Sequence, residues 1–231
     1  MEKLTIPSPT AEEVKDTLLK IKGEMLNDSE KIVTLIAIKY NKLSGLKPLW
    51  FVINEICDSL IMNKQCAAMT MTNHLLESSL KLSLILWKAY ENPNDNSKDF
   101  ETRYKKEVKM YIGKKMGENL KFAIEENMIN NDEFKDLSDL MLEYRDYIDH
   151  ASNNKYIRES RTIIATYDFS TKESTENLNA TVIGNPSLYL NTQESFMRKA
   201  AYGYFTHVYS YIMKWDKMLD ERYIRNNSNR Q

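Results

Sequence analysis

The stretch Leu142-Glu143-Tyr144-Arg145-Asp146-Tyr147-Ile148-Asp149-His150-Ala151-Ser152-Asn153 gathers the side chains best suited to chemistry. Arginine stays charged at any working pH and grips an anionic oxygen with a fork of donors. Histidine takes and gives a proton near neutrality. With the core stripe placed on Leu137, Met141, Tyr144, Ile148 and Ala151, a helix advances about 100° per residue. Arg145 then lies about +100° from the stripe and His150 about −120°, with Asp146 and Asp149 on the arc between them. A helix C-terminus favours the charged imidazole. Such an arginine and histidine suit cleavage of a phosphodiester without a metal.

The same pattern also describes an ordinary solvated face opposite an apolar stripe. At i, i+5 the two groups stand about 140° apart on an ideal helix, too far round to meet on one surface. One site uses both if two copies meet across a two-fold axis and share a cleft.

Other chemistries lack material. No GxGxxG or GxxxxGK[ST] phosphate loop, HExxH pair, EF-hand loop or GxSxG elbow occurs. The three histidines, His74, His150 and His207, fall on different expected helices, so no metal or other cofactor is expected. Cys57 and Cys66 have no zinc or disulfide spacing and read as free thiols on apolar helices.

The elements that must position the motif are helical. Pro9 to Leu26 carries Val14, Leu18, Ile21 and Leu26 on one face. A second segment starts near Asp28 and runs through Ile32, Leu35, Ile36, Ile38 and Tyr40 to Leu43, and a third follows Pro48. Apolar residues return every three or four positions rather than every two. Ala67 to Tyr90 is the longest apolar-rich stretch and is expected at the centre. The turn formers Asn92 to Ser97 make a loop. Phe100–Ile112 and Asn119–Met128 follow, with Gly113 and Gly117 between them, then the motif helix capped by Asn131-Asp132. The last helix opens near Asn191 and carries Ala201, Phe205, Val208, Ile212, Trp215 and Leu219. Thr162–Phe169 and Asn179–Gly184 are β-branched and break the pattern, so an irregular or hairpin insert is expected at about 155–190. The fold class is all-α, an up-and-down multi-helix bundle in one domain over 1–231, with a frayed tail at 224–231.

Composition agrees and narrows little. The 231 residues carry 32 Lys+Arg against 33 Asp+Glu, a formal net charge of −1, which disfavours indiscriminate coating of nucleic acid. No apolar leader or membrane-length segment is evident, so the expected location is the cytoplasm. The balance is nevertheless local. Arg103, Lys105, Lys106, Lys109, Lys114, Lys115 and Lys121 outnumber Glu107 and Glu118, with Tyr104 and Tyr111 among them. Lys155, Arg158 and Arg161 follow the motif directly, beside Tyr156, and are the candidate substrate-binding residues. Lysines interleaved with aromatics suit single-stranded RNA, and a solvated helix face explains the first cluster about as well. On the central helix Asn73, Glu77 and Lys81 form an i, i+4, i+8 polar stripe. Glu77 and Lys81 are either partners that support the motif helix or a plain surface ion pair.

Arg145-Asp146-Tyr147-Ile148-Asp149-His150 resembles the R-polar-x(3–5)-H signature of the HEPN superfamily, and Thr72 to Ile85 is similar to its long early helix. The resemblance covers roughly 70–152. It implies a helical bundle that dimerises and often acts as a metal-independent endoribonuclease, with many members in toxin–antitoxin or antiviral systems. Carried over, Arg145 holds the scissile phosphate, His150 acts as general acid and base while a ribose 2′-OH attacks, and Asp146 orients one of the two. The tyrosine that some members place two residues after the histidine is Ser152 here. Expected partners are a second copy, an RNA substrate and an antitoxin or other protein. The alternative is a HEPN-like module without catalysis that binds a nucleotide or a protein.

Overall fold

The computed structural model describes residue 12 and residues 28–90, 100–145, 161–168, 173–181 and 186–228, with side chains over 28–90, 104–144 and 194–225. The architecture is an all-helical bundle accompanied by one β-hairpin. The amphipathic stretch expected at Pro9–Leu26, the loop at 92–97 and the motif residues 146–160 lie outside the described residues.

Helix α1 (Ser29–Tyr40) starts where Asp28 Oδ1 accepts the Lys31 N–H at 3.1 Å, satisfying one of the donors a helix start leaves open. Its buried face is narrow: Leu35 and Ile38 are covered, while Val33, Ile36 and Tyr40 are exposed. Ile36 and Tyr40 therefore depart from the expected core stripe, because no described element covers that side of α1. A single 3₁₀ turn at Lys47–Leu49, with Pro48 inside it, leads into α2 (Trp50–Ile61), which buries Ile53, Ile56, Cys57 and Leu60.

Two residues past the end of α2, Asn63 takes a left-handed φ of 56°. Asparagine tolerates that conformation better than most residues, and the turn satisfies the last carbonyls. Lys64 N–H reaches Ser59 O at 2.7 Å, and the short link makes α2 and α3 antiparallel neighbours.

Helix α3 (Gln65–Ala89) is the central rod. Its buried residues include Ala68, Thr72, Leu75, Leu76, Ser79, Leu80, Ser83 and Leu84, so it is covered nearly all round. It packs against α2, α4 (Phe100–Tyr111), α5 (Met116–Glu125), the end of the motif helix and the last helix. The expected central position is correct. Thr72 and Ser79 keep their hydroxyls on α3's own carbonyls at 2.7 and 2.9 Å, which lets polar residues sit in the core.

The expected break between α4 and α5 is one residue pair too wide. Gly117 lies inside α5, because Glu118 Oε2 caps the Lys115 N–H at 3.1 Å and Met116 is fully buried. The motif helix α6 (Asn131–Leu140) is capped by Asn130, one residue before the expected cap. Asn130 Oδ1 accepts Glu133 N–H at 2.9 Å and Glu133 Oε2 accepts Asn130 N–H at 3.0 Å, a reciprocal capping box.

The insert is a true antiparallel hairpin, β1 (Arg161–Asp168) with β2 (Glu173–Thr181), and its register shifts between Thr162 and Ile164. It ends sooner than expected. Helix α7 (Pro186–Ser228) opens on a proline, a residue whose fixed φ suits a first helical turn. It runs through Asn191 and past residue 224, so most of the expected tail is helix. Ala201, Phe205, Val208, Ile212 and Trp215 are 0% exposed and close the core over α3. Among the described residues no helix is long and apolar enough to cross a membrane.

Candidate functional site

The motif helix does not stay α-helical up to the motif. After Leu140 the chain widens into a π turn, Met141–Arg145. Each N–H there reaches back five residues instead of four, and such turns recur at functional sites. The angles derived from about 100° per residue hold as far as Leu140 and not beyond it. The π turn departs from that wheel over Met141–Arg145, and His150 lies outside the described residues.

What holds the π turn is visible. Tyr144 stacks on Tyr204 of α7 with ring centroids 4.4 Å apart and planes 11° apart, and on Phe196 at 5.8 Å. Tyr204 in turn donates its hydroxyl to Asn73 Oδ1 of α3 at 2.7 Å. Asn73 is 2% exposed, and its Nδ2 has no partner among the described residues. Burial, then the nearby Glu143 carboxylate, pushes the Tyr144 phenol above its ordinary range. The residue just before Arg145 is thus stacked on α7 and linked through Tyr204 to α3.

The expected polar stripe begins at that same Asn73. One turn on, Lys81 Nζ lies 2.7 Å from Glu77 Oε1, with side-chain exposures of 19% and 26%. The pair is more sheltered than a surface ion pair, and it shares α3 with the residue that anchors Tyr204. Of the other expected site residues, Arg145 closes the π turn and Arg161 opens β1 as backbone positions. Asp146, His150, Lys155 and Arg158 lie outside the described residues.

A second cluster ties α6 to α7, and sequence reasoning missed it. Asp136 Oδ2 accepts the Tyr211 hydroxyl at 2.6 Å and lies 2.8 Å from His207 Nε2. The His207 and Tyr211 rings stack at 5.7 Å. One turn towards the start of α6, Glu133 Oε1 meets Lys214 Nζ. The pairs 144 with 204, 136 with 211 and 133 with 214 run in opposite directions along the two helices, so α6 and α7 are antiparallel. His207 is paired and half-exposed. The signal available was its one-turn spacing to Tyr211; nothing in the sequence named Asp136 as their partner.

Of the two readings of the basic stretch, the solvated face is the one that α4–α5 present. Tyr111 is 0% exposed and stacks edge-on against Phe122 at 5.6 Å, and Tyr104 leans on the core. Lys114 pairs with Glu118 at 3.3 Å. The Lys115 backbone N–H, then Lys114, holds the Glu118 carboxyl below its usual range. The tyrosines there serve packing, and the lysines form a solvated face.

The two cysteines are free. Cys57 is buried, which pushes its thiol up to about 12, far from a reactive thiolate. Among the described residues no group of three or more His, Cys, Asp or Glu side chains is placed to hold a metal ion. Compared with protein-family models, with curated proteins and with solved structures, the chain matches none.

Proposed function

We propose that this chain is a HEPN-like endoribonuclease that needs no metal and works as a homodimer. Arg145 and His150 line a cleft between two copies, as expected of a toxin or antiviral protein. The observation that supports this most is the anchoring of the motif helix. Arg145 closes a π turn whose preceding residue, Tyr144, is stacked on α7 and linked through Tyr204 to Asn73 of α3. A catalytic group must be held by a supported backbone if its position is to match a transition state.

In this reading Arg145 binds a non-bridging phosphate oxygen and stabilises the charge that develops there. His150 takes the proton from the ribose 2′-OH as that oxygen attacks phosphorus. The 5′-oxygen leaves as its bond to phosphorus breaks, and a protonated imidazole returns a proton to it. Asp146 orients the arginine or the histidine. Lys155, Arg158 and Arg161 hold the flanking phosphates, with a salt dependence that follows from counterion release.

The test is cleavage of single-stranded RNA by purified protein with EDTA present. His150→Ala should abolish it while the circular dichroism spectrum and melting temperature stay unchanged. Equal cleavage by the variant sinks the assignment. Binding of RNA, a nucleotide or a protein without any cleavage by the native chain assigns the non-catalytic module instead. A monomer by light scattering at micromolar concentration removes the shared cleft.

A further inference from the structure

The combination expected at α4–α5, lysines with available aromatic rings, occurs elsewhere. At the elbow between α1 and α2 a pocket of about 370 Å³ is lined by Lys39, Tyr40, Lys42, Leu43, Lys47 and Trp50. Tyr40 is 82% exposed, Trp50 48% and the adjoining Phe51 67%. Large aromatic surfaces left in water at one place usually mark a binding surface. From Lys39 to Asn54 the chain has no aspartate or glutamate. Lys39 is held by Asp58 at 2.5 Å. Lys42 and Lys47 have no acidic partner among the described residues.

The elbow is also prearranged. Trp50 Nε1 donates to the Lys39 carbonyl at 3.3 Å, which fixes the indole across the end of α1. Beneath, both carboxylate oxygens of Asp216 accept the Ser44, Gly45 and Leu46 N–H groups at 2.8 Å each. Helix α2 opens with no acidic residue in its first turn, so its positive end adds to the lysines. A ligand here meets apolar rings, a cationic rim and a backbone that does not need to reorganise.

We propose that this elbow docks single-stranded RNA, with unpaired bases stacked on Tyr40, Trp50 and Phe51 and the neighbouring phosphates on Lys42 and Lys47. Base–aromatic stacking tolerates any base because every base has a π-face, and lysines track the backbone. An aliphatic protein partner would leave the cationic rim unanswered. A duplex would hide the base faces that the rings require. The choice of RNA as the strand rests on the proposed ribonuclease activity, but docking and cleavage involve different residues and fail separately.

The experiment is a titration of the full-length His150→Ala chain with a 12-nucleotide oligouridine, in EDTA at low salt, read by tryptophan fluorescence. Trp215 is 0% exposed, and Trp87 lies 3.9 Å from the Arg222 guanidinium, so Trp50 is the exposed reporter. Saturable quenching is expected. Lys42→Glu with Lys47→Glu should weaken binding at least about tenfold and flatten the salt dependence by about 1.4, two contacts at about 0.7 each. Tyr40→Ala with Phe51→Ala should weaken it about tenfold, while Lys105→Glu with Lys106→Glu on α4 changes it less than about twofold.

Four results overturn the docking site: no saturable quenching, elbow variants that bind as the parent does, duplex RNA bound as tightly as the single strand, or adenosine monophosphate bound as tightly as the oligomer. Cleavage by the native chain whose KM ignores the elbow variants also removes the docking site and leaves the ribonuclease standing. Elbow-dependent binding with no cleavage by the native chain removes the ribonuclease and leaves the docking site.

Discussion

Two carboxylates fasten the outer helices to α7, and they do so in opposite ways. Asp216 is 6% exposed and spends both oxygens on three backbone N–H groups of the α1–α2 elbow. Asp136 has a side chain 39% exposed and serves two side chains, His207 and Tyr211, on the motif-helix seam. Backbone donors cannot rotate away, and charge-assisted bonds to them are strong when water is excluded. Side-chain partners can turn to solvent and change protonation. The elbow is therefore held through its own backbone, while the α6–α7 seam at Asp136 is held through side chains.

The largest expected effect is at the elbow. Asp216→Ala strands the buried Leu46 N–H and loosens its two neighbours, costing about 3 kcal/mol of unfolding free energy. Urea denaturation measures this. A cost near that of an ordinary surface change would break the contrast between the two seams. Next is Tyr204→Phe, which leaves the Asn73 carbonyl oxygen buried without its donor and should cost about 1.5 kcal/mol in the same assay. It should also lower RNA cleavage, since the ring on which Tyr144 stacks loses its tether to Asn73 of α3.

A pH series sharpens the comparison further. Burial first, then the Asp136 carboxylate, pushes the Tyr211 phenol well above its ordinary range. A group raised in the folded state contributes stability that is fully present below its unfolded pKa, about 10, and lost as pH rises towards the folded value. Stability should fall with alkaline pH, and Tyr211→Phe should reduce that slope above about pH 10. The same slope in Tyr211→Phe and in the parent chain would remove the seam's role. The smallest effect belongs to Glu77 and Lys81. A double-mutant cycle should give a coupling of about 0.5 kcal/mol, above zero because the pair is half-sheltered and small because water still reaches it. No coupling would return the pair to a plain surface contact.

The described helices were legible from their periodic faces, and the α7 residues expected inside, Ala201, Phe205, Val208, Ile212, Trp215 and Leu219, are all buried. Boundaries slipped where a cap or a proline decided them, as at Asn130 and Pro186. The face of α1 was misread in part, because periodicity says which residues share a side and not whether another element covers it. The sequence shows the spacing of Arg145 and His150, but not the π turn that ends at Arg145. A π turn leaves no mark in the hydrophobic period before it, so a wheel drawn at about 100° per residue does not describe Met141–Arg145. The lysine clusters show the same limit. Tyr104 and Tyr111 stand among charges in the sequence yet face inward, while Trp50 stands among apolar residues yet is half-exposed.

The span of α7 also governs how this protein is made. Its partners on α3 and at the elbow lie 131 and more residues earlier in the chain. A nascent chain that has emerged as far as the hairpin holds α3 with one apolar side bare, because Phe205, Val208, Ile212 and Trp215 have not yet been synthesised. Closing loops of that length is slow, and exposed apolar surface invites association in the interval. The protein's most vulnerable moment therefore comes during translation, and its yield in a cell depends on what shelters α3 until α7 arrives.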